Sequence, residues 1–164
     1  MMADPRALLA AALLAAPSAA GCAGGEAPTP AEYRREANAI CATARADTAP
    51  LVTRLTEMAS SINTRNAPQA ATVAERLKTV ARRHVQRLRE LKQPEGDEKK
   101  IEAFLAPTET LVTAVGKAAG ALRERKLIQV LGHVASARPL ERDARRAAAA
   151  YGLHRCRAFV GVVP

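Results

Sequence analysis

Residues 73–91, which read VAERLKTVARRHVQRLREL, decide the fold class of this chain. Apolar or weakly polar side chains recur every three or four positions there, at Val73, Leu77, Val80, His84, Leu88 and Leu91. This spacing places them on one face of a helix, with the charged residues on the other faces. The stretch therefore predicts an amphipathic helix, from about Pro68 to Lys92, that packs within a bundle.

The same periodicity predicts a helix on each side of this one in the sequence. The first begins near Pro30, is interrupted at Pro50, and ends before the turn signals of residues 63–68. Its inward residues are Tyr33, Ala37, Ile40, Ala44, Leu51, Leu55, Met58 and Ile62. The third predicted helix begins after Asp97, which is a plausible N-cap, and bends at Pro107. Its inward residues are Ile101, Phe104, Leu105, Thr108, Leu111, Val112, Val115, Ala119 and Leu122.

A fourth helix follows a turn that we place at residues 123–126. An unbroken helix from Asp97 to Arg138 would be about 60 Å long, which is too long for this bundle. Pro139 disturbs the fourth helix, and Gly152 is suited to the left-handed conformation that ends it. Its predicted inward residues are Leu127, Leu131, Val134, Leu140, Ala144, Ala147, Ala148 and Tyr151.

Composition agrees with an all-α fold. The chain has 164 residues, aromatic residues make up 2% of it, and it has no tryptophan, whereas alanine is abundant. Helices packed closely through small side chains suit this composition. We expect one domain at residues 31–164, an antiparallel up-down-up-down four-helix bundle with kinked helices.

A signal peptide is expected before this domain, at residues 1–21. Arg6 precedes an apolar run at residues 7–16, which is too short to span a bilayer. The small residues Ala19, Ala20 and Gly21 then precede Cys22, a pattern that resembles a bacterial lipobox. We expect acylation of Cys22, a flexible Gly/Pro-rich tether at residues 22–30, and anchoring to the outer face of the cell membrane. The alternative is a simple secreted protein, cut near Ala20 and carrying no lipid.

The two remaining cysteines, Cys41 and Cys156, form an even pair in an oxidising compartment, where disulfides persist. In an up-down-up-down bundle the start of the first helix and the end of the fourth lie at the same end. The sequence therefore predicts a Cys41–Cys156 disulfide that stabilises the bundle and has no redox role.

Motifs that indicate catalysis or a cofactor are missing. His84, His133 and His154 are far apart in sequence and lack the spacing of metal ligands, and no serine lies in a nucleophile elbow. We therefore expect no enzyme activity, no catalytic residue, no metal and no cofactor. The alternative is a cofactor- or metal-carrying bundle, in which His84 and His133 would approach each other in the core.

Basic residues dominate the charge, which is +9 at pH 7. They cluster on the second and fourth predicted helices, at Arg82, Arg83, Arg87, Arg89, Arg142, Arg145 and Arg146. These side chains either form a solvated bundle face or contact anionic lipid headgroups or an envelope protein. Nucleic acid is not an expected partner, because stacking aromatic residues are missing.

The combination of a lipobox, ANAIC at residues 37–41, LKQPEGD at 91–97 and AAYGLHRC at 149–156 resembles the small uncharacterised lipoproteins of actinobacteria. The resemblance covers the mature chain and implies fold and location, but no catalytic residues. We expect a non-enzymatic binding or adaptor protein of the cell envelope.

Overall fold

Four long helices and one short helix make up most of the computed structural model, which describes residues 26–159 without the side chains of residues 158 and 159. The helices are α1 (Pro30–Ala59), α2 (Ala67–Glu90), α3 (Glu98–Arg123), α4 (Leu127–Ala150) and α5 (Cys156–Phe159). Residues 26–159 contain no β-strand. The prediction of an all-α four-helix bundle is confirmed, while the predicted signal peptide and Cys22 lie outside the described residues.

Side-chain capping fixes the start of α1 close to where the sequence predicts it. The Glu32 backbone N–H donates to Thr29 Oγ1 at 3.3 Å, and the Thr29 N–H donates to Glu32 Oε2 at 2.8 Å. This reciprocal capping box satisfies N–H groups that have no partner within the helix. Pro30 then occupies the first turn, where its missing N–H costs nothing.

A residue with a left-handed backbone conformation follows the end of α3, and another follows the end of α4. Arg125 has φ 59° and Gly152 has φ 80°. In each case the next residue donates its N–H to a carbonyl of the last helical turn, from Lys126 to Ala121 at 2.8 Å and from Leu153 to Ala148 at 2.7 Å. Both ends thus have the hydrogen bond of a Schellman motif. The turn predicted at residues 123–126 and the stop predicted at Gly152 are confirmed.

Three helices run through an internal proline without ending. Pro50 lies inside α1, Pro107 inside α3 and Pro139 inside α4. Each lacks the N–H that would bond to the carbonyl four residues earlier, so each helix is locally weaker there. The interruption expected at Pro50 does not divide α1.

The helices pack in chain order, and the ring of four is incomplete. α1 packs on α2, α2 on α3 and α3 on α4, whereas no Cα of α1 lies within 8 Å of a Cα of α4 in the described chain. The short α5 contacts both α1 and α4. The Cys41–Cys156 disulfide, whose Cα atoms are 4.9 Å apart, joins α1 to α5. The predicted disulfide is confirmed, and it closes the gap between the first and the fourth helix at one end.

Two apolar clusters form the core. The one at the disulfide end contains large side chains, including Tyr33, Leu88, Ile101, Phe104 and Leu105. The one at the far end is made mainly of alanine and comprises Ala67, Ala70, Ala71, Ala74, Ala119 and Leu122. The two ends of the bundle are therefore filled very differently.

The prediction that Leu131 faces inward is wrong. Leu131 is 69% exposed, and the neighbouring Ile128 is 86% exposed. Among the described elements only α3 and α5 have Cα atoms within 8 Å of α4, and the flank of α4 that carries Leu131 is left uncovered. The inward face of this half of α4 runs instead through Val130, Val134 and Ala137.

Replacing Leu77 tests the assignment of the inward face of α2. Leu77 is 1% exposed, whereas the adjacent Arg76 is exposed. We expect Leu77→Ala to lower the free energy of unfolding by about 2 to 5 kcal/mol, because it removes buried methyl groups and leaves a void. Arg76→Ala should change it by no more than about 0.5 kcal/mol. Urea denaturation of both variants measures the difference, and equal effects would contradict the assignment.

Removal of the disulfide should destabilise the domain without unfolding it at room temperature. The bond joins residues 115 positions apart. For a loop of this size the chain-entropy description gives at most about 4 to 5 kcal/mol. We expect the double variant Cys41→Ala/Cys156→Ala to melt at a lower temperature and to keep its helical circular dichroism at 25 °C. Loss of the helical signal at 25 °C would mean that the bundle depends entirely on this bond.

Candidate functional site

An apolar cleft occupies the far end of the bundle. Its volume is about 140 Å³, and all four long helices line it. The lining residues are Val52, Leu55, Thr56, Ala59, Ile62, Ala70, Ala74, Leu77, Ala114, Val115, Ala118, Leu122, Val130, His133, Val134 and Ala137. Since Thr56 and Ala59 are exposed residues, the cleft reaches the surface of the domain.

Small side chains create this cleft. Ala70 and Ala74 from α2 meet Ala114 and Ala118 from α3 along its wall, and Ala137 lines it from α4. Alanine at inward positions fills less of the space between helices than the leucine and phenylalanine at the disulfide end. Over the described residues α1 and α4 have no Cα atoms within 8 Å of each other, and the space between their side chains at this end stays partly unfilled. The corresponding sequence signal is alanine at inward positions four residues apart. By itself this pattern predicts only that the helices pack closely.

Polar groups at the cleft are few. The Thr56 hydroxyl donates to the carbonyl of Val52 at 3.0 Å, within its own helix. Thr56 and His133 are the only polar residues in the lining, and His133 is half-buried. A polar or charged molecule would lose its hydration there and gain few hydrogen bonds. The arrangement therefore suits an apolar guest.

The structure places the two core histidines in different surroundings. His84 is 2% exposed, and its Nε2 lies 2.8 Å from Asp47 Oδ2. Because an ionised carboxylate only accepts hydrogen bonds, the His84 Nε2 carries a hydrogen and donates a hydrogen bond to Asp47. His84 Nδ1 has no hydrogen-bond partner among the described residues. His84 thus pairs with an acid of α1, whereas His133 lines the cleft.

Neither a metal cluster nor a membrane-spanning helix occurs within the described range. No three His, Cys, Asp or Glu side chains in residues 26–159 are grouped as a metal site would require. In the same part of the chain, none of the helices combines the length and the apolar character needed to cross a bilayer.

The seven arginines predicted as surface contacts fall into two groups. Arg89 contacts both Glu102 and Glu109, and its Nε lies 2.6 Å from Glu109 Oε1. These two carboxylates raise the pKa of Arg89, Glu109 most strongly. Arg145 and Arg146 pair with acids of their own helix, at 2.8 Å to Glu141 and 2.6 Å to Asp143 respectively.

The other four predicted contact residues have no ion pair to any side chain of the described chain. All four are exposed, and they are Arg82, Arg83, Arg87 and Arg142. They, rather than Arg89, are available to an anionic surface.

A buried polar cluster joins the turn before α3 to the end of α4. Asp97 accepts a hydrogen bond from Lys100 Nζ at 2.6 Å and one from the Tyr151 hydroxyl at 2.7 Å. The Tyr151 ring meets that of Tyr33 edge to face, with centroids 6.0 Å apart. Asp97 occupies the predicted N-cap position but makes no capping bond, because its side chain is held by these two partners.

This cluster shifts the pKa values of its members in opposite directions. Hydrogen bonds from Lys100 and then Tyr151 lower the pKa of Asp97 below its usual range. Burial, and then the bond to Asp97, raises the pKa of Tyr151. Burial also raises the pKa of Tyr33 to about 12. An ionised Asp97 and neutral tyrosines are therefore favoured at neutral pH.

Comparisons with protein-family models, with curated proteins and with solved structures found no match to this chain.

Asp97 should make stability depend on pH in the acid range. Its pKa is lower in the folded state than in the unfolded chain, so its contribution is present at neutral pH and is lost as the pH falls through the folded value. We expect the melting temperature of the parent protein to decrease as the pH is lowered past about 4. The decrease should be smaller in Asp97→Asn, because this variant already lacks the contribution at pH 7. Glu95→Gln, an exposed acid in the same turn, is the control. Identical pH profiles for Asp97→Asn and the parent would contradict the assignment.

Proposed function

We propose that this chain is an exported lipoprotein, anchored through Cys22 to the outer face of the cell membrane, whose four-helix domain binds a ligand or partner without catalysis. One observation carries the export part of the proposal. The Cys41–Cys156 disulfide is buried and joins α1 to the short α5 across 115 positions of the sequence. A structural bond of this kind suits an oxidising compartment. It also uses two of the three cysteines and leaves Cys22 for the lipid.

The cleft supports the binding part of the proposal. It is a concave, apolar site between helices, a common location for small-molecule sites in helical bundles. Its lining, within the described chain, contains no cysteine, serine or carboxylate, and its one hydroxyl, that of Thr56, donates to the Val52 carbonyl of its own helix. The resemblance to small actinobacterial lipoproteins is consistent with this role and adds no catalytic residue.

The exposed arginines support a secondary contact with the membrane or with an envelope protein. Arg82, Arg83 and Arg87 lie on α2 and Arg142 lies on α4. Near an anionic bilayer each such side chain adds about 1 kcal/mol of attraction, which salt screens. This contribution is smaller than that of acyl chains on Cys22 and orients the domain more than it anchors it.

Replacing Cys22 tests the anchor. We expect Cys22→Ser to move the protein from the membrane fraction to the soluble fraction, because acyl chains supply most of its affinity for the bilayer. Ala23→Ser changes the neighbouring residue and should leave the protein in the membrane fraction. Fractions washed at high salt and analysed by immunoblot and intact-mass spectrometry measure both outcomes.

Two results would count against the proposal. Cys22→Ser that stays membrane-bound at high salt would exclude the lipid as the main anchor. An exported wild-type protein whose mass shows an unmodified chain beginning near residue 21 would identify a simple secreted protein instead.

A further inference from the structure

We propose that the cleft at the far end of the bundle is the binding site for a small apolar group, either an aromatic ring or the end of a hydrocarbon chain. This deepens the binding role proposed above and rests on it. The ligand class follows from the size and the lining of the cleft, and access for the ligand follows from the prolines in two of the helices that line it.

The size of the cleft limits the occupant. Its volume of about 140 Å³ is close to that of an engineered apolar cavity of about 150 Å³ that binds benzene. A bulky polycyclic ligand or a folded peptide does not fit without a large rearrangement. A single ring or the last few carbons of a chain fits the space as it stands.

The lining selects against charge. Fourteen of the sixteen lining residues are alanine, valine, leucine or isoleucine, and the two others are Thr56 and His133. The Thr56 hydroxyl already donates within its helix. His133 is half-buried and is the only lining residue with a titratable side chain, so a polar end group on the ligand would lie beside it. The buried part of the ligand must be uncharged.

Two of the helices that line the cleft carry an internal proline close to it. The disulfide holds α1 to α5 near one end, and α1 makes no close approach to α4 along the described chain. Pro50 precedes the α1 part of the lining, and Pro139 follows the α4 part. At both points a helical hydrogen bond is missing. Each helix is therefore locally weaker beside the cleft, where a small movement of either helix would admit a ligand.

Filling the cleft provides the decisive variant. Ala118 lines the cleft, whereas Ala106 lies on an exposed part of the same helix. Ala118→Leu should occupy the space that the ligand needs and keep or raise the melting temperature, because it fills a void. Ala106→Leu adds the same side chain outside the cleft and should bind ligand as the parent does. Ala114→Leu repeats the filling test if Ala118→Leu unfolds.

The test is a titration of the full chain carrying Cys22→Ser, exported so that the disulfide forms, with benzene and separately with octanoate. Nuclear magnetic resonance follows the backbone amides. We expect saturable shifts at residues that line the cleft, such as Val52, Ala74 and Val134, and little change at the disulfide end. The filling variant should bind at least about ten-fold more weakly than the control variant, with both remaining folded.

The two probes distinguish the two sources of apolar group. Saturable binding of octanoate that also shifts His133 indicates a hydrocarbon tail, with its carboxylate at the mouth of the cleft. Binding of benzene alone indicates a ring. Absence of saturable binding by both probes, or equal affinity in the filling and control variants, would overturn the inference. Because every sample lacks Cys22, this result is independent of the anchor, whose own test is membrane fractionation.

Discussion

The Cys41–Cys156 disulfide is the constraint that holds the two ends of the helical chain together. A four-helix bundle normally closes because its first and last helices pack against each other. In this chain no Cα of α1 comes within 8 Å of α4 over the described residues, and closure passes through α5 instead. The bond and α5 thus reinforce an end of the bundle where side chains of α1 and α4 belong to the same core cluster. Packing at that end is dense, with Cys41, Cys156 and Leu153 all 0% exposed.

The far end of the bundle follows from the same arrangement. Beyond Pro50 in α1 and before Pro139 in α4, no described Cα atoms of the two helices lie within 8 Å of each other, although Leu55 and Val130 pack against the same cluster. The residues facing the gap are mainly alanine and valine, which are too small to fill it. A chain under selection for stability alone would fill such a space with leucine, because each buried methylene contributes about 0.8 kcal/mol. The unfilled space is therefore not required for stability, and it is the basis of the proposed binding role.

Helix number, helix positions and the disulfide could be predicted because each depends on local spacing or on chain topology. The stripe from Val73 to Leu91 and the stop at Gly152 are properties of short stretches. Leu131 and the cleft could not be predicted, because both depend on which helices fail to touch. Periodicity shows that a residue faces inward only if a neighbour is present to cover it. Arg89 is a similar case, because its predicted role as a surface contact depends on whether another helix supplies acidic partners. Glu102 and Glu109 of α3 form ion pairs with it.

Geometry also constrains how the cleft would meet its ligand if Cys22 is the anchor. Lys92 Nζ donates to the Glu26 carbonyl at 2.8 Å, which holds the start of the described chain against the end of α2. Only residues 22–26 then separate lipid from domain, and four residue steps span at most about 14 Å. The lining of the cleft begins at Val52, twenty-two residues beyond the start of α1 at Pro30, or about 33 Å along the helix. A ligand taken from the bilayer would reach the cleft only with the bundle lying along the membrane. A ligand taken from the envelope would reach the cleft in any orientation of the bundle, so the two sources place different demands on how the domain lies.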